Sequence, residues 1–196
     1  MAKTSSYMLP LGTEAPNFIL PDTVSGEDIS LSNIKGTKGT LIIFMCNHCP
    51  YVLHLLDKII EISTKIKEAG INTVGISSND VLNYPEDHPK LMKKLAEDRD
   101  FSFPYLYDET QSAAISYEAA CTPDFYLFDS DLKLVYRGKF DDARPKNEEP
   151  ITGKDLMIAA KNLIMGIPQN SDQTPSLGCN IKWKKGNEPS GFLAKI

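Results

Sequence analysis

A chain of 196 residues, 41% hydrophobic and 24% charged, can bury one substantial core and is short for two, so a single domain with extensions is expected. Its 21 Lys and Arg against 26 Asp and Glu give a net charge of -5, the wrong sign for a surface that tracks phosphates, which argues against a nucleic-acid partner. The longest apolar stretch, residues 39–46, is strand-sized and far below the roughly 20 residues of a membrane span, so no membrane partner is expected either.

The first eight residues hold one lysine and no apolar core, and read as lacking an export leader; the cytoplasm is the expected location. Residues 1–16 carry Pro10, Gly12 and Pro16 without periodicity and read as an arm over the domain. Residues 18–20 and 28–31 flank a Gly and Asp turn and predict a hairpin. Residues 40–45 form a continuous apolar run, as in a strand buried on both faces. Beyond Pro50, Val52, Leu55, Leu56, Ile59, Ile62 and Ile66 recur at helical spacing until Gly70 supplies a stop. A strand over 71–77 then completes a parallel crossover.

Residues 78–90 read as a polar loop, with Asn79 and Asp80 at the carboxyl edge of the strand, where α/β ligand sites gather, although an Asx turn explains them equally well. A short helix begins at Leu91, a strand is expected over 103–107, and an Ala-rich helix over 109–120. Residues 125–129 and 132–137 predict antiparallel neighbours, followed by a charged, solvated loop around Asp141 and Asp142. Thr152 with Asp155 opens a last helix that Gly166 and Pro168 close. The expected division is therefore a domain over residues 1–166 and an extension over 167–196, packed on it or partly mobile, with Trp183 as its anchor.

Four cysteines are too few for a disulfide scaffold, but two of them stand in Cys46-Asn47-His48-Cys49-Pro50, where the buried strand meets the long helix. The positive helix end favours a thiolate, so Cys46 is expected to be an exposed nucleophile of lowered pKa, with Cys49 as the buried resolving thiol. A protonated His48 between them would stabilise the thiolate further and make the disulfide more oxidising. His54 and His88 read as ordinary residues.

The order of strand, Cys-x-x-Cys, helix and strand, with Cys121-Thr122-Pro123 leading into two antiparallel strands and a final helix, resembles the thioredoxin superfamily over roughly residues 12–166. That resemblance implies an α/β fold of three layers around a mixed sheet, here with an N-terminal hairpin and a C-terminal tail. It also implies a cis proline at Pro123, with Thr122 and Pro123 lining the substrate groove and Cys121 approaching the Cys46 end. His before the second cysteine is similar to protein disulfide isomerases and periplasmic disulfide oxidants. The hairpin, the 78–100 insertion and Phe103-Pro104-Tyr105-Leu106-Tyr107-Asp108 resemble the alkyl hydroperoxide reductase/thiol-specific antioxidant (AhpC/TSA) and peroxiredoxin branch. Against a peroxiredoxin, the positions expected to hold Thr or Ser and Pro before the peroxidatic cysteine hold Ile43 and Gly39, and Gln111 stands where its arginine falls. Against thioredoxin, Thr40 and Met45 replace the buried carboxylate and the aromatic before the pair.

The expected function is a thiol-disulfide oxidoreductase using Cys46 and Cys49, with a protein or small-molecule disulfide or dithiol as substrate, a thiol reductant system as partner, and no cofactor or metal. Two alternatives stay open. A peroxiredoxin-like antioxidant peroxidase would oxidise Cys46 to a sulfenic acid, with Cys49, Cys121 or Cys179 resolving it and Arg137 or Arg144 replacing the missing arginine. A metallochaperone would bind Zn or Cu(I) through Cys46, Cys49 and one of Cys121, Cys179 or His48. Cys179 is also expected as a possible extra redox thiol, if the extension folds back.

Overall fold

In the computed structural model, residues 3–189 are described. Met1 and Ala2, within the stretch read for an export leader, and residues 190–196 of the C-terminal extension lie outside them. The chain begins with β1 (Lys3–Ser5), then the hairpin of β2 (Ile19–Pro21) and β3 (Asp28–Ser30). Asp22 holds the hairpin turn by accepting from Ser25 N at 3.0 Å and fastens it to the domain by accepting from Tyr105 N at 3.0 Å. One helical turn, α1 (Leu31–Ile34), follows, with Ser30 and Asn33 capping it reciprocally.

The expected crossover is present as β4 (Gly39–Phe44), α2 (Pro50–Glu68) and β5 (Ile71–Ser77). Next come a 3₁₀ turn (Pro85–Asp87), α3 (Pro89–Asp98), β6 (Tyr105–Tyr107), α4 (Ser112–Ser116), β7 (Cys121–Thr122), β8 (Asp124–Asp129), β9 (Leu134–Arg137), α5 (Lys154–Met165) and β10 (Leu177–Asn180). The central sheet has the order β6-β5-β4-β8-β9, with β4, β5 and β6 parallel and β8 and β9 antiparallel. Strand alternation divides the core in two. Leu41, Ile43 and Met45 face α2, α3 and α5, whereas Ile42 and Phe44 face α1, α4 and the hairpin. The sheet is thus covered on both sides, which is why β4 reads as an unbroken apolar run.

Three expectations are corrected. The helix expected over 109–120 is only the five residues of α4, because Gln111 (φ 64°) and Glu118 (φ 49°) are left-handed and end the α-helical path on each side. The N-cap of α5 is Gly153, not Thr152, and the capping acceptor comes from afar: the Phe140 carbonyl accepts from Asp155 N and Leu156 N at 3.2 and 3.4 Å, while one oxygen of buried Asp141 accepts from Thr152 N and Gly153 N just before the helix, both at 2.7 Å. Asp141 is therefore no member of a solvated loop. The described part of the extension packs on the domain, one of the two arrangements expected of it: its segment β10 is inserted between β1 and β7 as the middle strand of a second, antiparallel sheet, with Cys179 opposite Thr122.

Candidate redox site

Two elements deliver the expected pair. Cys46 follows the carboxyl end of β4, and Cys49 is the N-cap of α2, with Pro50 in the first turn where its missing N–H leaves no bond unmade. The Thr122–Pro123 peptide beside them is cis. The Cys49 thiol donates to the Thr122 carbonyl at 3.0 Å, and Cys46 Sγ lies 3.5 Å from Thr122 Oγ1. Cys46, expected to be exposed, is 1% exposed, and Cys49 is fully buried.

The electrostatics also differ from the expectation. Contact with Cys49, then burial, then the charge of Asp87 push the Cys46 thiol up, not down. Cys49 is the sulfur held low, first by the thiol of Cys179 and then by that of Cys46. Cys49, which also donates to the Thr122 carbonyl, is thus the sulfur that neighbours both other thiols of the cluster.

His48 is governed by a residue that the sequence reading left in a polar loop. The buried carboxylate of Asp87 accepts from Asn47 N at 2.8 Å and His48 N at 3.3 Å through one oxygen. Through the other it accepts from Asn79 Nδ2 at 2.7 Å and from His48 Nδ1 at 2.7 Å. The His48 bond raises the imidazole above its ordinary 6.5, so His48 is more readily cationic. Its charge nevertheless arrives paired with Asp87, whose own charge disfavours a Cys46 thiolate. The ring also stacks on Tyr84, with centroids 5.7 Å apart and planes 5° from parallel. Asn79 is thus a ligand of Asp87 rather than the pivot of an Asx turn, and its Oδ1 accepts from Lys182 N of the extension at 2.8 Å.

Cys121 does not approach the Cys46 end. Successive side chains of a strand point to opposite faces, and Thr122 takes the face toward the pair. Cys121 points away, its thiol 3.8 Å from the Pro123 carbonyl, and burial and Asp124 push it up, which makes it an inert thiol. Cys179, facing Thr122 across the β7–β10 pair, does reach Cys49. The groove expected along Thr122 and Pro123 is consequently covered by β10.

The other candidates have structural duties. Buried Gln111 donates to Ser78 O at 2.6 Å and Lys182 O at 2.9 Å, and accepts from Lys184 N at 2.8 Å, so it clamps the extension. Arg137 donates to Gln173 Oε1 at 2.9 Å, and Arg144 to the carbonyls of Asp141 and Ala143 at 2.7 and 2.6 Å. Among the described residues, Cys46, His48 and Asp87 bring donor atoms within 4.8 Å of one another, a spacing a metal ion accepts. Both Asp87 oxygens are already engaged by four hydrogen-bond donors, however, so this carboxylate is arranged as an acceptor of hydrogen bonds.

Comparison with known proteins agrees with this architecture. The chain is 47% identical to an uncharacterized conserved protein from Geobacillus kaustophilus, whose crystal structure superposes with a TM-score of 0.93 over 95% of this chain and 98% of that one. The thioredoxin domain of a thiol-disulfide oxidoreductase from Bacteroides vulgatus is 21% identical, with a TM-score of 0.61 over 80% of this chain and 99% of that domain, and it shares the fold. Thiol-disulfide oxidoreductase ResA of Bacillus thuringiensis subsp. konkukian (strain 97-27) is 25% identical over 146 residues, 74% of this chain and 79% of that protein. The AhpC/TSA family model matches residues 11–137, which span the central sheet and its redox junction, and the chain belongs to the AhpC/TSA family within the thioredoxin superfamily.

Proposed function

We propose that the chain is a thiol-disulfide oxidoreductase that works through Cys46 and Cys49. One observation carries the reading: Cys46 and Cys49 stand together where β4 meets α2, against the cis Thr122–Pro123 peptide, with the Cys49 thiol 3.0 Å from the Thr122 carbonyl and Cys46 Sγ 3.5 Å from Thr122 Oγ1. In the oxidising direction, a substrate thiolate attacks Cys46 of the Cys46–Cys49 disulfide. The new substrate–Cys46 bond forms while the Cys46–Cys49 bond breaks, and Cys49 departs as a thiolate. A second substrate thiol then releases the oxidised substrate and leaves both cysteines reduced. In the reducing direction the order reverses, and the Cys49 thiolate resolves a mixed disulfide held on Cys46. The substrate is a protein or small-molecule disulfide or dithiol, and a thiol reductant or oxidant resets the pair. Because both sulfurs are buried, turnover requires an opening at the β7–β10 side or beside His48, whose side chain is 16% exposed.

Trapping tests this directly. Cys49→Ser should accumulate mixed disulfides on Cys46 when the reduced protein meets a disulfide substrate, and Cys46→Ser should accumulate none at position 46 and lose turnover. Mapping by mass spectrometry after an acid quench reads both. Mixed disulfides that persist in Cys46→Ser at full yield and wild-type turnover would overturn the assignment. A parallel arm with stoichiometric hydrogen peroxide should oxidise Cys46 far more slowly than an oxidised dithiol does.

A further inference from the structure

The pair leaves one buried nucleophile unused. Cys179 arrives on β10 from the far end of the chain and stands opposite Thr122 in an antiparallel pair. Opposite residues of such a pair project to the same face, so Cys179 shares the redox side with Thr122, and its thiol contacts Cys49. The approach is unusually close because of Gly178: a Cβ there would lie 2.0 Å from the Thr122 carbonyl oxygen. Cys49 is thus the sulfur that neighbours both others, with all three cysteines gathered around Thr122 in one buried cluster. Thiol-disulfide exchange needs such an arrangement, an attacking and a leaving sulfur on the same central sulfur.

We propose that Cys179 is a third redox thiol that exchanges with the Cys46–Cys49 disulfide, so that the oxidised chain holds its disulfide in either of two positions. The inference rests on the reading of Cys46 and Cys49 as a redox pair and deepens it. The Cys179 thiolate attacks Cys49 Sγ, the Cys49–Cys179 bond forms as the Cys46–Cys49 bond breaks, and Cys46 leaves as a thiolate that takes up the proton Cys179 gave up. No outside oxidant is consumed. When Cys49 is in a disulfide it carries no charge, so the strongest influence holding the proton on Cys179 is gone, and Lys182 favours the thiolate. The outcome is a covalent tie between β10 and the start of α2, with Cys46 returned to the thiol state beside His48 and Asp87.

The experiment uses reduced, metal-free full-length protein, one equivalent of diamide, an acid quench over time, alkylation and disulfide mapping by mass spectrometry. Wild type should yield both Cys46–Cys49 and Cys49–Cys179 peptides, with the second growing at the expense of the first. Cys179→Ser should yield Cys46–Cys49 alone. Cys46→Ser, with Cys46→Ala as the substitute if it folds poorly, should lose two thiols per chain to a Cys49–Cys179 bond. Wild type holding only Cys46–Cys49, together with Cys46→Ser keeping its thiols free or bonding only between chains, would overturn the proposal while leaving the pair intact. Absence of Cys46–Cys49 in Cys179→Ser, where no third thiol competes, would overturn the pair itself; a Cys49–Cys179 bond in Cys46→Ser would then still support Cys179 as a redox thiol.

Discussion

At the scale of single residues, Asp87 organises the site although it bears no sulfur. Its two oxygens hold the backbone between Cys46 and Cys49 through Asn47 N and His48 N, and they orient the His48 ring. Asp87→Asn replaces one acceptor oxygen with an amide that faces donors, so it should destabilise the fold by roughly 1–3 kcal/mol, the cost of unsatisfied buried polar groups. The sign of the pH effect follows from His48, whose folded pKa lies above 6.5. The stability its charge contributes is fully present below about 6.5 and is lost as pH rises through the raised value. In Asp87→Asn the His48 titration, followed by NMR of the ring protons, should therefore move to lower pH, and the loss of stability relative to wild type should be larger at pH 5.5 than at pH 8.5. An unmoved His48 midpoint would show that the ion pair does not form in solution. Asp87 could not be singled out beforehand, because it is one of several polar residues in a Pro-rich loop and its partners lie about 40 positions upstream. Cys46 and Cys49 were legible because their setting is local: an apolar run ends, two cysteines follow, and helical periodicity begins.

At the scale of elements, β10 decides what the pair can meet. Residues 167–189 are rich in Gly, Pro, Asn and Ser, and a four-residue strand leaves no alternation strong enough to read, so the sequence left open a packed extension or a mobile tail and did not foresee the strand itself. The close fit of β10 depends on Gly178, since any Cβ there must displace the Thr122 backbone or β10 itself. Gly178→Ala should lift β10 at an overpacking cost of roughly 1–3 kcal/mol, enough to raise the open population by about fivefold to a hundredfold. Alkylation of Cys49 and Cys179 by iodoacetamide should accelerate by that factor, with Cys121 as the internal control because its thiol lies on the opposite side of β7. Equal acceleration at Cys121 would mean general loosening and defeat the idea. Gln111 acts on the same extension from beneath, through Lys182 O, Lys184 N and Asn187 Nδ2. Gln111→Ala takes the acceptor from Lys184 N, whereas Lys182 O keeps Asp80 N and Asn187 Nδ2 keeps Thr110 O, and should lower stability by about 1–3 kcal/mol, with the earliest proteolytic cuts falling in residues 181–189. The family resemblance located Gln111 as a missing arginine, whereas its position in the structure explains what the amide does.

At the scale of the whole molecule, the N-terminal arm and the C-terminal extension meet at β7, the short strand that leads into β8. The strand order β1-β10-β7 joins the N-terminal arm, the extension and the turn into β8, and neither chain end announces this by its own pattern. The layered core, by contrast, follows directly from apolar periodicity, because burial on both sheet faces and on one helix face writes itself into local sequence. Asp124, the first residue of β8, lies where these parts join. Burial raises its carboxyl to about 6, against the opposing pull of Ser6 from the arm, Ala120, Tyr126 and Ser176 from the extension. A carboxyl raised in the folded state contributes stability that is complete below its ordinary 3.8 and is lost as pH rises through about 6. A rise from 3.8 to about 6 corresponds to about 3 kcal/mol, all of it opposing the fold once the pH exceeds 6. Asp124→Asn keeps the shape and cannot ionise. Denaturant unfolding of both proteins from pH 3.5 to 8 should give a difference curve that is flat below pH 4, climbs in favour of the variant between pH 4 and 6, and levels above pH 7. A difference curve that stays flat throughout would place the ionised carboxylate in a better-solvated environment than this junction provides.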